Sequence, residues 1–407
     1  DNKLRIKQKD ANGNEITLTQ GFNGATMRAL LPNKLFFINN YNLPIYKDSL
    51  FSDPRADINN VRAWLDTNSA NITDKFIPIT QQTIINPNIL SNTVQFAYLH
   101  KDNADYRYFK NVSVVKSDAT KLQKPIKTLS FGDSLTEDSM VATLKNRLES
   151  LGATVTPVGT YASAYTKNLV GEGRGYWSYR SFVGKDNVSG ATHTLASSGA
   201  TSTGKWENPF LRLATDTDKT NHPTWCFRFT GANKELSYAD DADKTGNFYI
   251  FDFAYYLSNH SVQSPNVITI ALSTNDINLD AGTYTQAERL QYMLLGLEIM
   301  VTQIHAALPS VPIAIIPCPA WGVSNDMYTR FAAETATWVE SCIKKVAELK
   351  ALHSNLEVVP VYLHQNRDMI YETGAGTNIN ANSDLKYSTM GDSVHFGETG
   401  REQYVEP

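Results

Sequence analysis

Long apolar runs, cysteine pairs, metal signatures and a dominant charge are all missing from this chain of 407 residues. No uninterrupted apolar segment approaches the roughly 18 residues a membrane span needs, so membrane insertion is not expected. The three cysteines, Cys226, Cys318 and Cys342, are far apart and odd in number. They make neither a disulfide framework nor a Cys-x-x-Cys metal site, and they read as buried thiols. A formal charge of -4 offers no electrostatic foothold to nucleic acid or to an anionic membrane surface. The HExxH pattern and the EF-hand loop are absent, so neither a metal nor a cofactor is required. Two near-motifs fail on inspection. In "GATSTGK", 199–205, Trp206 follows where a phosphate-binding loop needs Ser or Thr, and no strong strand precedes it. Gly171, Gly173 and Gly175 lack the dinucleotide spacing, and no acidic partner is evident.

What is present suits a globular protein with a real core: 42% of residues are hydrophobic and 19% are charged. The length suggests two or three domains. Residues 1–124 carry short apolar runs broken by Asn, Asp, Gly and Pro, such as "KLFFINNYNLPIY" and "TVQFAYLH". They are expected to form a smaller β-rich domain with a hairpin at Asn12-Gly13 and one helix at "DINNVRAWLDT", capped by Asp57. "KSDATKLQKP", Lys116 to Pro125, reads as the linker that ends it.

From Ile126 the texture changes to Val- and Ile-rich runs alternating with helical patterns. Strands are expected at 126–131, 154–159, 267–272, 312–317 and 356–362, and helices at 139–151, 286–308 and 327–353. That alternation predicts a parallel sheet covered by helices, with the active site at the carboxyl ends of the strands. The stretch 176–265, rich in Ser, Thr, Gly and Asn, interrupts it and is expected to be an inserted, β-rich flap.

The candidate chemistry lies where strands end. "LSFGDSLTED" puts Ser134 between a strand and a helix start, where backbone N–H groups and the helix dipole favour developing negative charge. Alone, a Gly-Asp-Ser tripeptide is weak, since chance supplies one in about a tenth of chains this size. The tripeptide recurs in "GDSVHFGETG", where Asp392 and His395 stand three apart. On one face of a turn, the carboxylate would orient the imidazole, leaving Ser393 a bystander. "VITIALSTNDIN" leads a strand into Asn275, whose amide could donate to an oxyanion or simply cap a helix. "LVGEGRGYWS" supplies three glycines able to bring a backbone N–H close to a ligand, or merely to turn the chain.

Together these blocks resemble the GDSL or SGNH hydrolase superfamily, over roughly Ile126 to the end. "FGDSLTE" matches its first block, "GEGRGYW" its second, "STNDI" its third and "DSVH" its fifth. The resemblance implies a three-layer α/β/α, flavodoxin-like hydrolase domain over 125–407 and a metal-free, two-step ester hydrolysis. It makes Ser134 the nucleophile, His395 the base and Asp392 its support. Ser134, Gly175 and Asn275 would form the oxyanion hole, with Gly173 as the alternative to Gly175. Block three usually begins with Gly, and Ser273 in that place suggests a changed turn.

The expected substrate is an acylated glycan, because no apolar lid is evident and "GYWSYRSF" is rich in aromatics. A small ester or a lipid is the alternative substrate; a glycan-binding structural module is the alternative of another class. The layout is similar to esterases of phage tails and cell surfaces, so an extracellular, cell-surface or virion-associated place is expected. Residues 1–124 would then serve attachment or assembly, including oligomers. The polar, mixed-charge first residues do not read as a signal peptide. A start at Asp1 and an end soon after His395 suggest a piece of a longer protein.

Overall fold

The apolar runs after Ile126 show little polar alternation, the pattern of strands covered on both faces, and they form the buried centre of a mixed α/β fold with parallel strands. This computed structural model describes residues 6–9, 15–18, 29–51, 61–67, 76–100, 107–120, 125–163, 168–185, 192–231, 234–278, 284–317, 335–365, 377–378 and 386–387. The strands of the main sheet are β1 (Pro125–Gly132), β2 (Thr154–Pro157), β3 (Tyr161–Ala162), β4 (Val170–Gly173), β5 (Val267–Ala271), β6 (Ile313–Ile315) and β7 (Leu356–Val358).

Strands β2, β1, β5, β6 and β7 lie side by side in that order and run parallel. β4 pairs in parallel with the carboxyl end of β1, on the edge whose first half β2 occupies, and β3 runs antiparallel to β4. This is a doubly wound order, which reverses direction between β1 and β5 and opens a crevice at their carboxyl ends. The register places Gly132 opposite both Ala271 and Gly173. The three chain segments that leave these strands therefore start from one level.

The helices that matter below are α1 (Val141–Ser150), α2 (Tyr179–Phe182), α3 (Thr274–Asn278), α4 (Gln286–Ala307) and α5 (Ala336–Lys350). α4 opens with a capping box of Thr285 and Glu288. Its buried Met293, Leu297, Met300, Val301 and Ile304 recur at helical spacing, and they share a core with Trp338, Cys342, Val346 and Leu349 of α5. At Gly296 an added Cβ would come within 2.8 Å of Tyr179 Cβ, so a residue without a side chain lets α2 press onto α4.

The expected flap is instead part of the core. Its strands are only two or three residues long, and its aromatics turn inward. Phe182, Phe210 and Phe253 lie with ring centroids 5.5, 5.3 and 6.2 Å from Phe131 of β1, and Phe210 stacks near Tyr256 at 4.2 Å. A polar average composition concealed aromatics, some isolated and some in the run 248–256, that bury large areas when the segment folds back.

Before residue 124 the described elements are strands and short 3-10 turns. Lys34–Ile38, Arg107–Ser117, Thr93–His100, Val61–Asp66 and Phe76–Ile79 form a five-stranded sheet in that order. Leu43–Tyr46 pairs with Gln82–Ile85, and Ile6–Lys9 runs antiparallel to Glu15–Leu18 on either side of Asn12-Gly13, which lies outside the described residues. The helix expected at "DINNVRAWLDT" is a strand over its described part. Val61, Ala63 and Leu65 alternate inward, a period of two that a helix cannot bury; Asp57 lies outside the described residues. The expected linker also begins late. Lys116 and Ser117 still belong to a strand, and Asn39 N–H donates to Ser117 O at 2.8 Å.

These strands do not close a core by themselves. Leu30, Leu35, Phe37, Ile45 and Phe51 share one cluster with Ala336 and Val339 of α5 and with Tyr362 and Leu363. Tyr362 Oη donates to Leu30 O at 2.8 Å, and His364 Nδ1–H donates to Pro44 O at 2.7 Å. Cys226 and Cys342 are buried free thiols, and burial pushes the Cys226 thiol up to about 11; Cys318 lies outside the described residues. Among the described residues no helix is long and apolar enough to cross a membrane.

Candidate active site

Ser134 stands two residues beyond β1, in the turn that leads into α1. Asp133, almost fully buried, shapes this turn: its Oδ1 accepts from Leu135 N–H at 3.0 Å and its carbonyl accepts from Glu137 N–H at 2.9 Å. A π-helical turn, Thr136–Met140, follows directly, and such widened turns are frequent at functional sites. Ser134 is half-buried, within reach of solvent.

Across the crevice, β5 ends at Ala271 and α3 begins at Thr274. Ser273 holds φ at 98°, a region that favours glycine. The chain thus makes the turn a glycine would make, not the changed turn expected from the substitution, at a cost on the order of 1–3 kcal/mol. Asn275 is buried, and its Nδ2 donates to Trp177 O at 2.9 Å. An amide NH2 carries two donors, and this bond uses one. Next to it, fully buried Asp276 accepts from Tyr179 N–H at 3.0 Å and pairs with Arg180 Nε at 3.4 Å. Burial pushes the Asp276 carboxyl up, against the pull of Arg180.

The glycine-rich loop completes the rim. Arg174 N–H donates to Gly132 O at 2.9 Å, which binds the loop to the end of β1. At Gly173 an added Cβ would come within 2.6 Å of Glu137 N and 2.7 Å of Thr136 C, so this position has no room for a side chain against the turn carrying Ser134. Gly175 N–H, expected to face an oxyanion, instead donates to Glu137 Oε2 at 2.6 Å. The same buried carboxylate takes Lys205 Nζ at 2.8 Å and Tyr161 Oη at 2.5 Å. One acidic side chain, three residues after Ser134, therefore ties together the turn, the loop and the inserted segment.

Asp392, Ser393 and His395 lie outside the described residues. The structure thus brings the turn of Ser134, the glycine loop and Asn275 to adjoining strand ends, and it leaves the expected base and its support as expectations from the motif. Among the described residues no cluster of three or more His, Cys, Asp or Glu could hold a metal.

Sequence reading missed the charged residues between the glycines. Glu172 and Arg174 are both fully buried and joined by Nε–Oε2 and Nη2–Oε2 bonds of 3.0 and 2.8 Å. Glu172 Oε1 also accepts from Thr160 N–H and Oγ1 and from Tyr256 Oη, at 2.6, 2.8 and 2.7 Å. Arg174 reaches on to Gly204 O, Glu207 O and Thr203 Oγ1, at 2.6, 2.9 and 2.7 Å, and so holds the segment of the broken phosphate-loop motif. Charges alternating with glycines directly after a strand were the available signal. The aromatics of "GYWSYRSF" also divide: Trp177, Tyr179 and Phe182 are core, and only Tyr176, at 52% exposure, faces solvent.

His193 was also missed. It is buried between Trp177 and Trp206, and neither ring nitrogen has a hydrogen-bond partner among the described residues. Burial, then the nearby Arg174 charge, pushes it down to about 4; burial does the same for His364, also to about 4. Between an unfolded value near 6.5 and 4, only the unfolded chain binds these protons. Stability is therefore complete above about pH 6.5 and falls toward pH 4, by up to about 3 kcal/mol per histidine. Urea unfolding across this window should show the loss, and His193→Phe, which keeps a flat ring between the indoles, should flatten it. An unchanged slope in that variant would assign the acid sensitivity elsewhere.

No family model matches the sequence, and no curated protein does. Solved structures with a similar course include a family 3 carbohydrate esterase from Clostridium thermocellum, at 15% identity and TM-score 0.35, covering 69% of this chain and 92% of that one. A carbohydrate esterase family 3 protein from Talaromyces cellulolyticus is similar at 14% identity and TM-score 0.36, over 69% and 92% of the two chains. A family two carbohydrate esterase from Clostridium thermocellum, in complex with cellohexaose, is similar at 11% identity and TM-score 0.26, over 81% of each chain.

Proposed function

We propose that this chain is a serine ester hydrolase of the SGNH type that removes acyl groups, acetyl above all, from a glycan. The observation that carries the reading is positional. Ser134, in its Gly-Asp-Ser turn, and Asn275 leave the carboxyl ends of β1 and β5, the two strands between which a doubly wound sheet opens its binding crevice.

The mechanism follows from that placement and from the Asp-x-x-His motif. Ser134 Oγ attacks the ester carbonyl as His395 takes its proton, and Asp392 supports the resulting imidazolium. The Ser134 N–H and the Asn275 amide hold the oxyanion; Gly175 joins them only if its N–H leaves Glu137. The imidazolium then protonates the departing sugar oxygen. Water, losing a proton to His395, attacks the acyl carbon; the C–Oγ bond breaks as the imidazolium returns that proton to Ser134 Oγ, and the acyl group leaves as acid. We read 125–407 as a three-layer α/β/α hydrolase domain and 1–124 as a β-rich accessory unit that attaches it in an extracellular, cell-surface or virion setting.

A fluorophosphonate probe tests the nucleophile. It should label Ser134 in the unaltered protein and fail in His395→Ala; absent labelling, or labelling that survives the histidine change, refutes the hydrolase reading. Faster cleavage of long-chain esters than of acetylated glycans would reassign the substrate.

A further inference from the structure

We propose that Tyr176 and Trp206 form an aromatic shelf on which a pyranose ring of the substrate stacks beside Ser134, a proposal that rests on the hydrolase reading above. Tyr176 sits in the middle of a loop anchored at both ends of the crevice. Arg174 N–H is held by Gly132 O at 2.9 Å, two residues before Ser134, and Trp177 O is held by Asn275 Nδ2, also at 2.9 Å. Between these anchors Gly175 N–H is held by Glu137 at 2.6 Å. The loop that carries Tyr176 therefore lies between the turn of Ser134 and Asn275.

The conformation of Tyr176 is costly in two ways at once. Its φ is 72°, left-handed backbone that a bulky residue rarely adopts. The residue as a whole is 52% exposed, so local burial offsets little of the strain. Strained residues of this kind gather at ligand-binding sites.

The ring is also not alone. Its centroid lies 6.2 Å from that of Trp206, with the planes 33° apart, and Lys205 Nζ lies 5.5 Å from each ring. Behind Trp206 stands His193 at 5.5 Å, and behind His193 stands buried Trp177 at 4.6 Å. The rings make a column from the core to the surface. Lys205 is itself fixed by Glu137, so the outer end of the column is held before any ligand arrives. A preorganised, flat π-face loses little entropy on binding.

The chemistry favours a sugar over a fatty acyl chain. A pyranose offers a flat face of C–H bonds, which suits the negative face of an aromatic ring. The chain leading to Trp206 exposes Ser197, Ser198, Thr201 and Ser202, a hydroxylated approach rather than an apolar one.

The test uses Tyr176→Asn, since asparagine tolerates positive φ, with Tyr176→Phe as the ring-preserving control. On O-acetylated xylo-oligosaccharides, Tyr176→Asn should raise KM about tenfold with kcat nearly unchanged, and Tyr176→Phe should restore the original KM. Calorimetric binding of the same oligosaccharides to a Ser134→Ala background should weaken by the same factor on adding Tyr176→Asn. This arm needs no turnover, so it separates failure of the shelf from failure of the nucleophile. Unchanged binding, a loss borne by kcat alone, or an equal loss in Tyr176→Phe would overturn the shelf. A loss confined to hydroxycinnamoyl esters would overturn the sugar and point to an aromatic acyl group.

Discussion

Ser134→Ala should reduce kcat/KM on acetylated substrates by about 10³-fold or more, because it removes the atom to which the proposed mechanism transfers the acyl group. What survives should be only the residual catalysis of an oxyanion site that still binds the ester. The protein should stay folded: Ser134 is half-buried and lies in a turn built by the Asp133 carboxylate and carbonyl. Thermal unfolding within about one degree of the parent would show this. The repeated Gly-Asp-Ser provides an internal control. Ser393→Ala should leave activity within about threefold, since the motif assigns the work there to Asp392 and His395. Equal losses from the two changes would mean that the roles of the two copies have been misassigned. Asn275→Ala should fall between them, at about 10²-fold if its amide stabilises the oxyanion, although it also releases the bond to Trp177 O.

The largest loss of stability is expected from Arg174→Met. Methionine roughly fills the volume, but it leaves Glu172 fully buried without its cation and strips Thr203, Gly204 and Glu207 of their donor. Breaking a buried pair from one side typically costs about 3–5 kcal/mol. In a chain this long each kcal/mol lowers Tm by roughly 1 °C, so a shift of several degrees should show in a thermal scan. Glu172→Gln, which keeps acceptors for Thr160 and Tyr256, should cost less than Arg174→Met. The double variant should be less destabilised than the two single losses combined, because the second change removes the charge that the first exposed. Strict additivity would show that the two side chains contribute independently.

Much of the sheet was legible in the sequence because strand and helix periodicity are local. The runs at 126–131 and 267–272 appear as β1 and β5, and the 286–308 pattern appears as α4 with its capping box. "DINNVRAWLDT" misled because Asp57 offered a cap signal, whereas Val61, Ala63 and Leu65 already alternated as a strand does. The segment 176–265 misled in the opposite direction. Its polar average hid Phe182, Phe210 and the aromatic run 248–256 with Phe251 and Phe253, all of which join the core with β1 and α4.

The sequence by itself determined where the proposed nucleophile and amide donor stand along the chain, Ser134 after one strand and Asn275 after another, because a strand end and a helix start are written in adjacent residues. Only the tertiary structure decided what surrounds them. Glu137 meets Lys205 across 68 positions, Asp276 meets Tyr179 across 97, and Arg174 reaches Glu207 across 33. Tyr176 reaches the surface only because that packing holds its loop between Gly132 and Asn275. Such partners follow from strand order and from how an irregular segment folds back, and neither leaves a period in the sequence.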